Sequence, residues 1–143
     1  MIRVAQQELR TAGLRVTTGR LAVLDVLDLL PHSDAATVHD RLSGRTSLQS
    51  VHNVLADLTA AGVIRRIESA GAAARYERRA GDNHHHVVCT MCGVVADVDC
   101  VIGDAPCLHP SDAAGFVIST AEVTFRGLCP NCSTSPPTDR RAP

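Results

Sequence analysis

Two C-x-x-C pairs, Cys89-Thr-Met-Cys92 and Cys129-Pro-Asn-Cys132, stand on either side of residues 93–128. Four thiolates arranged tetrahedrally at about 2.3 Å suit zinc, and a closed four-sulfur shell leaves no coordination position for a substrate. A dithiol redox site needs one such pair, whereas a metal needs the second. The spacing therefore predicts a structural zinc that ties both ends of a domain too small to be secure on its core alone. The rival reading is a thiol-redox switch built on Cys89 and Cys92. Cys100 and Cys107 belong to neither pair, which leaves them as buried apolar-like residues, the reading we favour, as reversible thiols, or as a disulfide.

A chain of 143 residues makes one medium domain or two small ones. Its net charge of −1 is unevenly placed: residues 1–80 carry eleven Arg against eight acids, and residues 81–143 three against seven. A basic half thus precedes an acidic one. No apolar run approaches the roughly 20 residues of a membrane-spanning helix. The polar opening MIRVAQQELR is not a signal peptide. With C-x-x-C pairs and no secretory segment, the expected compartment is the cytoplasm, with no membrane partner. Tyr76, Phe116 and Phe125 are the only aromatics. Stacking on single-stranded bases therefore lacks its usual tools, while duplex binding stays open.

The first half predicts helices followed by a hairpin. Residues 3–12 form a polar helix stopped at Gly13, and Thr17 or Thr18 caps a second with Leu21, Leu24, Leu27 and Leu30 at helical spacing, ended by Pro31. Ser33 caps a short helix bearing Ala35, Val38 and Leu42. Thr46 or Ser47 opens another with Leu48, Val51, Leu55 and Leu58 inward, ended by Gly62. VIRRIES and AARYERR then flank a Gly-containing turn as two strands. Three helices and a two-stranded wing are the order of a winged helix-turn-helix. The outer face of residues 48–58 presents Gln49, Ser50, His52, Asn53 and Asp57, and Gln and Asn can bond adenine edges in the major groove. The plainer reading is a solvated helix face. Arg15, Thr17 and Arg20 before the second helix, with Arg65 and Arg66 at the wing, shift the balance towards duplex DNA.

Beyond a hinge at residues 81–83, HHHVVC, GVVADV, GFVIS and AEVTFRGLC predict strands of a small α/β domain over residues 84–132. The tail 133–143 has little apolar content and is expected to be disordered. In a strand, His84 and His86 point to one face and His85 to the other. Glu77 before them and Asp97 after them complete a nitrogen and oxygen ligand set suited to Fe(II), Mn(II) or Zn(II), between which spacing does not choose. A polar strand edge with incidental histidines is the alternative. A zinc deaminase is excluded, because His84 is followed by His85 and His86 and the H-x-E motif is missing.

"GLRVTTGRLAVLDVL", "LPHSDAATVHDRL", "SVHNVLADLTAAGVIRR" and "DNHHHVVCTMCG…GLCPNC" follow one another along nearly all of residues 1–132. In this the sequence resembles the ferric uptake regulator family. Within it the sequence is similar to the actinobacterial, catalase-peroxidase-associated type, whose members are metal-dependent repressors that respond to peroxide; "ADVDC" and "APCL" add to the likeness. The resemblance implies an α+β chain, with a winged helix-turn-helix domain at 1–80 and an α/β dimerisation domain at 84–132. It implies structural Zn(II) on Cys89, Cys92, Cys129 and Cys132, and regulatory Fe(II) or Mn(II) on His32, Glu77, His84, His86 and Asp97. His32 enters through the resemblance alone. Asp at position 97 is associated with peroxide sensing in relatives, and Glu with iron sensing. The family's further site maps onto His85 and Asp104, with Ala121 where its usual histidine stands, and His52 and Asn53 replace the usual Tyr and Arg. The implied function is a homodimeric repressor, not an enzyme and without a small-molecule substrate. It would bind a pseudo-palindromic operator, release it on metal loss or peroxide oxidation, and control oxidative-stress or iron genes. The alternative within the class is a zinc- or iron-sensing repressor without peroxide response.

Overall fold

The computed structural model of the chain describes residues 2–44, 46–68, 72–78, 84–99, 114–117 and 123–134. The predicted hinge at 81–83, Ala70 and Gly71 of the predicted wing turn, Cys100, Asp104, Cys107, Ala121 and the tail from 135 onward lie outside them. The chain divides into two compact units, Met1–Asp82 and Asn83–Pro143.

In the first unit, α1 (Ile2–Thr11) buries Ala5 and Leu9, one turn apart, and ends where Gly13 takes a φ of 73°. That left-handed turn suits a residue without a Cβ. The Thr17 side-chain oxygen accepts the Arg20 backbone N–H at 3.2 Å and so starts α2 (Thr18–Leu29). The buried face of α2 is Val23, Leu24, Val26 and Leu27; Leu21 and Leu30, expected inward, are only half-buried. Then come β1 (Ser33–Asp34), α3 (Ala35–Arg41), α4 (Leu48–Ala60), β2 (Arg65–Ile67) and β3 (Arg75–Glu77). Leu9, Leu24, Leu27, Val38, Leu55 and Leu58, from all four helices, form the heart of one core. The strands make an antiparallel sheet in the order β1-β3-β2. Helices α2–α4 with the β2–β3 pair are the expected winged helix-turn-helix.

Two details differ from expectation. Leu48 is 42 % exposed, because it is the first residue of α4, capped by Ser47, and the buried stripe begins one turn later at Val51. The cap of α3 is Asp34, not Ser33. Asp34 Oδ1 accepts the Thr37 backbone N–H at 2.8 Å, while Ser33 pairs with Tyr76 across β1–β3 and its hydroxyl donates to the Leu30 carbonyl at 2.8 Å. Both residues have capping chemistry, and the strand pairing decides between them.

The Thr37 backbone N–H, with the Thr37 side chain next, holds the Asp34 carboxyl below its ordinary 3.8. A lowered folded value means that the stabilisation is complete above the ordinary value and is lost as pH falls through the lowered one. Asp34→Ala is expected to cost about 1 kcal/mol at neutral pH, and Asp34→Asn much less. Urea melts at pH 7 and in acid test this: the Ala penalty should shrink on acidification.

The second unit is a three-stranded sheet in the order β5-β4-β6. β4 (His84–Cys89) runs antiparallel to β5 (Val95–Asp99) and parallel to β6 (Thr124–Gly127), and α5 (Pro130–Thr134) follows. Ser133 and Thr134, counted with the tail, instead complete α5, their hydroxyls donating to the Pro130 carbonyl at 3.0 and 3.1 Å. Phe116 and Val117, expected in a strand, follow a turn and are exposed. Among the described residues, no helix is long and apolar enough to cross a membrane.

Candidate metal centres and nucleic-acid face

The first C-x-x-C pair forms a tight turn between β4 and β5. Cys89 accepts the Gly93 N–H on its carbonyl at 2.9 Å and donates its own N–H to the Val94 carbonyl at 2.9 Å, with Gly93 at a φ of 72°. The second pair brackets the start of α5, and the Cys129 backbone N–H donates to Cys89 Sγ at 3.3 Å. The ligand atoms of all four cysteines lie within 4.8 Å of one another, and Cys92 Sγ is 3.8 Å from Cys129 Sγ. A tetrahedron with metal–sulfur bonds of about 2.3 Å has edges of about 3.8 Å, so the four sulfurs fit one zinc ion.

Their electrostatics agree. Backbone N–H groups of Cys92 and then Cys129 pull the Cys89 thiol down to about 6, while hydrogen bonding to the side chain of Cys129 and burial push Cys132 up to about 12. Negative charge cannot be shared among four crowded sulfurs alone, and a divalent cation removes that conflict.

In the first unit, His32 Nε2 lies 3.0 Å from Glu77 Oε2, and Glu77 is 1 % exposed. The turn that presents His32 is strained: its φ is 61°, in the left-handed region that non-glycine residues rarely occupy. Arg75 Nη1 holds the His32 carbonyl at 3.1 Å, even though the same side chain leaves its buried Nε without a hydrogen bond. Both costs fall on the backbone turn that carries the imidazole, and the fold keeps them.

In the second unit, His86 and Asp97 are register partners across β4–β5, with Nε2 3.7 Å from Oδ1 and His86 buried. His84, two residues earlier in β4, pairs with Asp99. The ring of His85 meets Phe125 edge-on, with centroids 6.1 Å apart. Each unit therefore brings together one histidine and one carboxylate from the predicted ligand set.

On α4, Gln49, Ser50, His52 and Asn53 are exposed, as is Arg15 before α2. Gln49 Nε2 donates to Asn53 Oδ1 at 3.0 Å, which aligns the two amides along the outer face. Arg20 is differently employed. Its guanidinium donates to the Arg15 carbonyl and to Asp57 Oδ2, both at 2.7 Å, and so ties α2 to α4. Asp57, the acid on that outer face, is thereby paired with opposite charge. Arg65, placed at the wing as a phosphate contact, has Nη1 3.8 Å from Glu77 Oε1. The register Arg65↔Glu77 is the signal that could have found this pair.

A winged helix-turn-helix with a polar outer helix face, linked to a unit bearing a four-cysteine cluster, defines a metal-binding transcriptional regulator. The model of the ferric uptake regulator family matches residues 11–126. The transcriptional regulator FurA of Mycobacterium tuberculosis is 52 % identical over 132 residues, 90 % of each chain. The peroxide operon regulator of Bacillus subtilis is 26 % identical over 136 residues, 92 % of this chain and 93 % of that one. The ferric uptake regulator of Pseudomonas aeruginosa, solved with manganese, superposes with a TM-score of 0.67 at 27 % identity, over 89 % of this chain and 98 % of that one. The chain belongs to the ferric uptake regulator family, whose members are transcriptional regulators and not enzymes.

Proposed function

We propose that this chain is a cytoplasmic, homodimeric repressor that grips duplex operator DNA when a regulatory Fe(II) or Mn(II) is bound and releases it on metal loss or peroxide oxidation, with Zn(II) held by Cys89, Cys92, Cys129 and Cys132. The observation that carries the reading is the two histidine–carboxylate pairs, His32–Glu77 in one unit and His86–Asp97 in the other. Two donors do not complete a coordination shell for a first-row divalent ion. The mixture of imidazole and carboxylate suits iron and manganese. We assign both pairs, with His84, to one ion. Ligands drawn from two units let that ion favour one arrangement of them, by its differential affinity for that arrangement.

The bound ion would supply a shared positive charge and, as Fe(II), the reductant for peroxide, at the expense of a ligand histidine. The DNA face proposed is Arg15, Thr17, Arg20, Gln49, Ser50, His52 and Asn53. Thr17 caps α2, and Arg20 sets α2 against α4, so these two act by holding the exposed residues in place. In a two-fold dimer the two α4 helices would address successive major grooves. Asp97 and the similarity to the peroxide operon regulator support the peroxide response.

The test measures affinity for the DNA upstream of the chain's own gene with Mn(II), with Fe(II), and with Fe(II) after hydrogen peroxide. Tight binding is expected in the first two states and weak binding in the third. Equal affinity throughout defeats the reading.

A further inference from the structure

Glu77 is a carboxylate at 1 % exposure, and a charge so buried needs opposite charge beside it. Within its own unit His32 lies against Oε2, and Arg65 Nη1 is 3.8 Å from Oε1. The backbone puts Arg65 there: β2 and β3 pair Arg65 directly opposite Glu77, so the two side chains share a face of the sheet. The next arginine is placed otherwise. Arg66 has a side chain 49 % exposed and pairs with Glu68 at 2.9 Å.

A guanidinium does not lose its proton in a protein. It cannot become neutral when a cation approaches the same carboxylate. We infer that Arg65 is the resident counter-ion of Glu77 and competes with the regulatory divalent ion for it, thereby setting the metal concentration at which the site fills. This rests on the reading of Glu77 as a ligand. Arg65 is not itself a ligand; it acts through the charge of Glu77. The arrangement keeps the buried carboxylate neutralised in both conditions, by arginine without the ion and by the ion with it. It also makes the site less avid than its ligands alone would be.

The experiment titrates Mn(II) into the full-length, zinc-loaded chain, with free Mn(II) followed by electron paramagnetic resonance. Arg65→Gln is expected to bind Mn(II) about tenfold more tightly, after discounting for the partial exposure of Arg65. Its manganese-free form should melt lower and gain more in Tm from Mn(II) than the parent does. Arg65→Lys keeps the charge and should restore parental affinity. Arg66→Gln should stay within about twofold, as expected for an exposed pair. If Arg65→Gln does not fold, Arg65→Met, which keeps an unbranched aliphatic side chain, carries the same comparison. Glu77→Gln separates the two ideas. Weaker Mn(II) binding in Glu77→Gln, with unchanged or weaker binding in Arg65→Gln, overturns the competition and leaves the ligand reading standing. Unchanged binding in Glu77→Gln overturns the ligand reading itself.

Discussion

Cys129→Ser is expected to release the zinc and unfold most of the second unit, while the first keeps its structure. The described residues of the second unit show little else to hold it. Among its described residues, only Val88, Cys89 and Val95 are buried apolar groups, whereas Val94, Phe125 and Leu128 are each about half exposed. At about 25 cal/mol per Å², so few buried side chains do not offset the entropy of ordering three strands. Zinc in small four-ligand sites contributes roughly 10–16 kcal/mol of apparent binding free energy at neutral pH. It would join the β4–β5 turn to the β6–α5 junction, two places far apart in sequence.

Cys129 also donates its backbone N–H to Cys89 Sγ, so the backbone around it belongs to the same knuckle. Hydrogen exchange on the full-length variant should show protection lost in β4, β5 and β6 and retained in α2 and α4. Elemental analysis should show zinc falling from one per chain to none. Zinc retained at full occupancy, with β4–β6 still protected, would mean that these four sulfurs are not the structural site. The same preparation addresses the thiol-switch alternative: a structural site keeps its zinc under mild oxidant, and a switch at Cys89 and Cys92 ejects it.

What the sequence disclosed, and what it hid, follow from the range of the interactions. The C-x-x-C pairs are local motifs, so the two metal knuckles could be read directly, whereas the short helix that starts at Pro130 could not. The caps could be narrowed to Thr17 or Thr18 and to Thr46 or Ser47, since a cap is decided within three residues, and the structure takes Thr17 and Ser47. β1 is two residues long and has no period to detect; it exists because Ser33 and Asp34 find Tyr76 and Arg75 across the sheet. The same pairing moved the α3 cap to Asp34. The side-chain ties of Arg20 to Asp57 and Arg65 to Glu77 span 37 and 12 positions, and charge alone made Arg20, Asp57 and Arg65 look like surface groups. His32 was legible only through the family likeness. A single histidine after Pro31 announces neither its left-handed φ nor the Arg75 hydrogen bond that holds it.

His86→Ala is expected to abolish metal-dependent DNA binding while leaving zinc content and dimerisation unchanged. His86 lies opposite Asp97 in the β4–β5 register and is 5 % exposed, so its imidazole is held on one side of the strand by the sheet itself. Loss of an outer partner of a metal ligand already costs about 10–100-fold in affinity, and loss of the ligand should cost at least as much. Because an ion can bias an arrangement of the units only by the difference in its affinities, the DNA affinity gained on adding Mn(II) should vanish rather than shrink. Cys89 follows His86 by three residues on the same strand, which makes zinc content the decisive control. A cavity at a buried position also lowers stability; His86→Gln, which fills more of the space, separates that effect from ligation by melting nearer the parent while still failing to respond to Mn(II). Zinc lost together with the response would show that the two metal sites are not independent. An undiminished Mn(II) response in both variants would remove His86, and with it the second unit's share of the ligand set, from the switch.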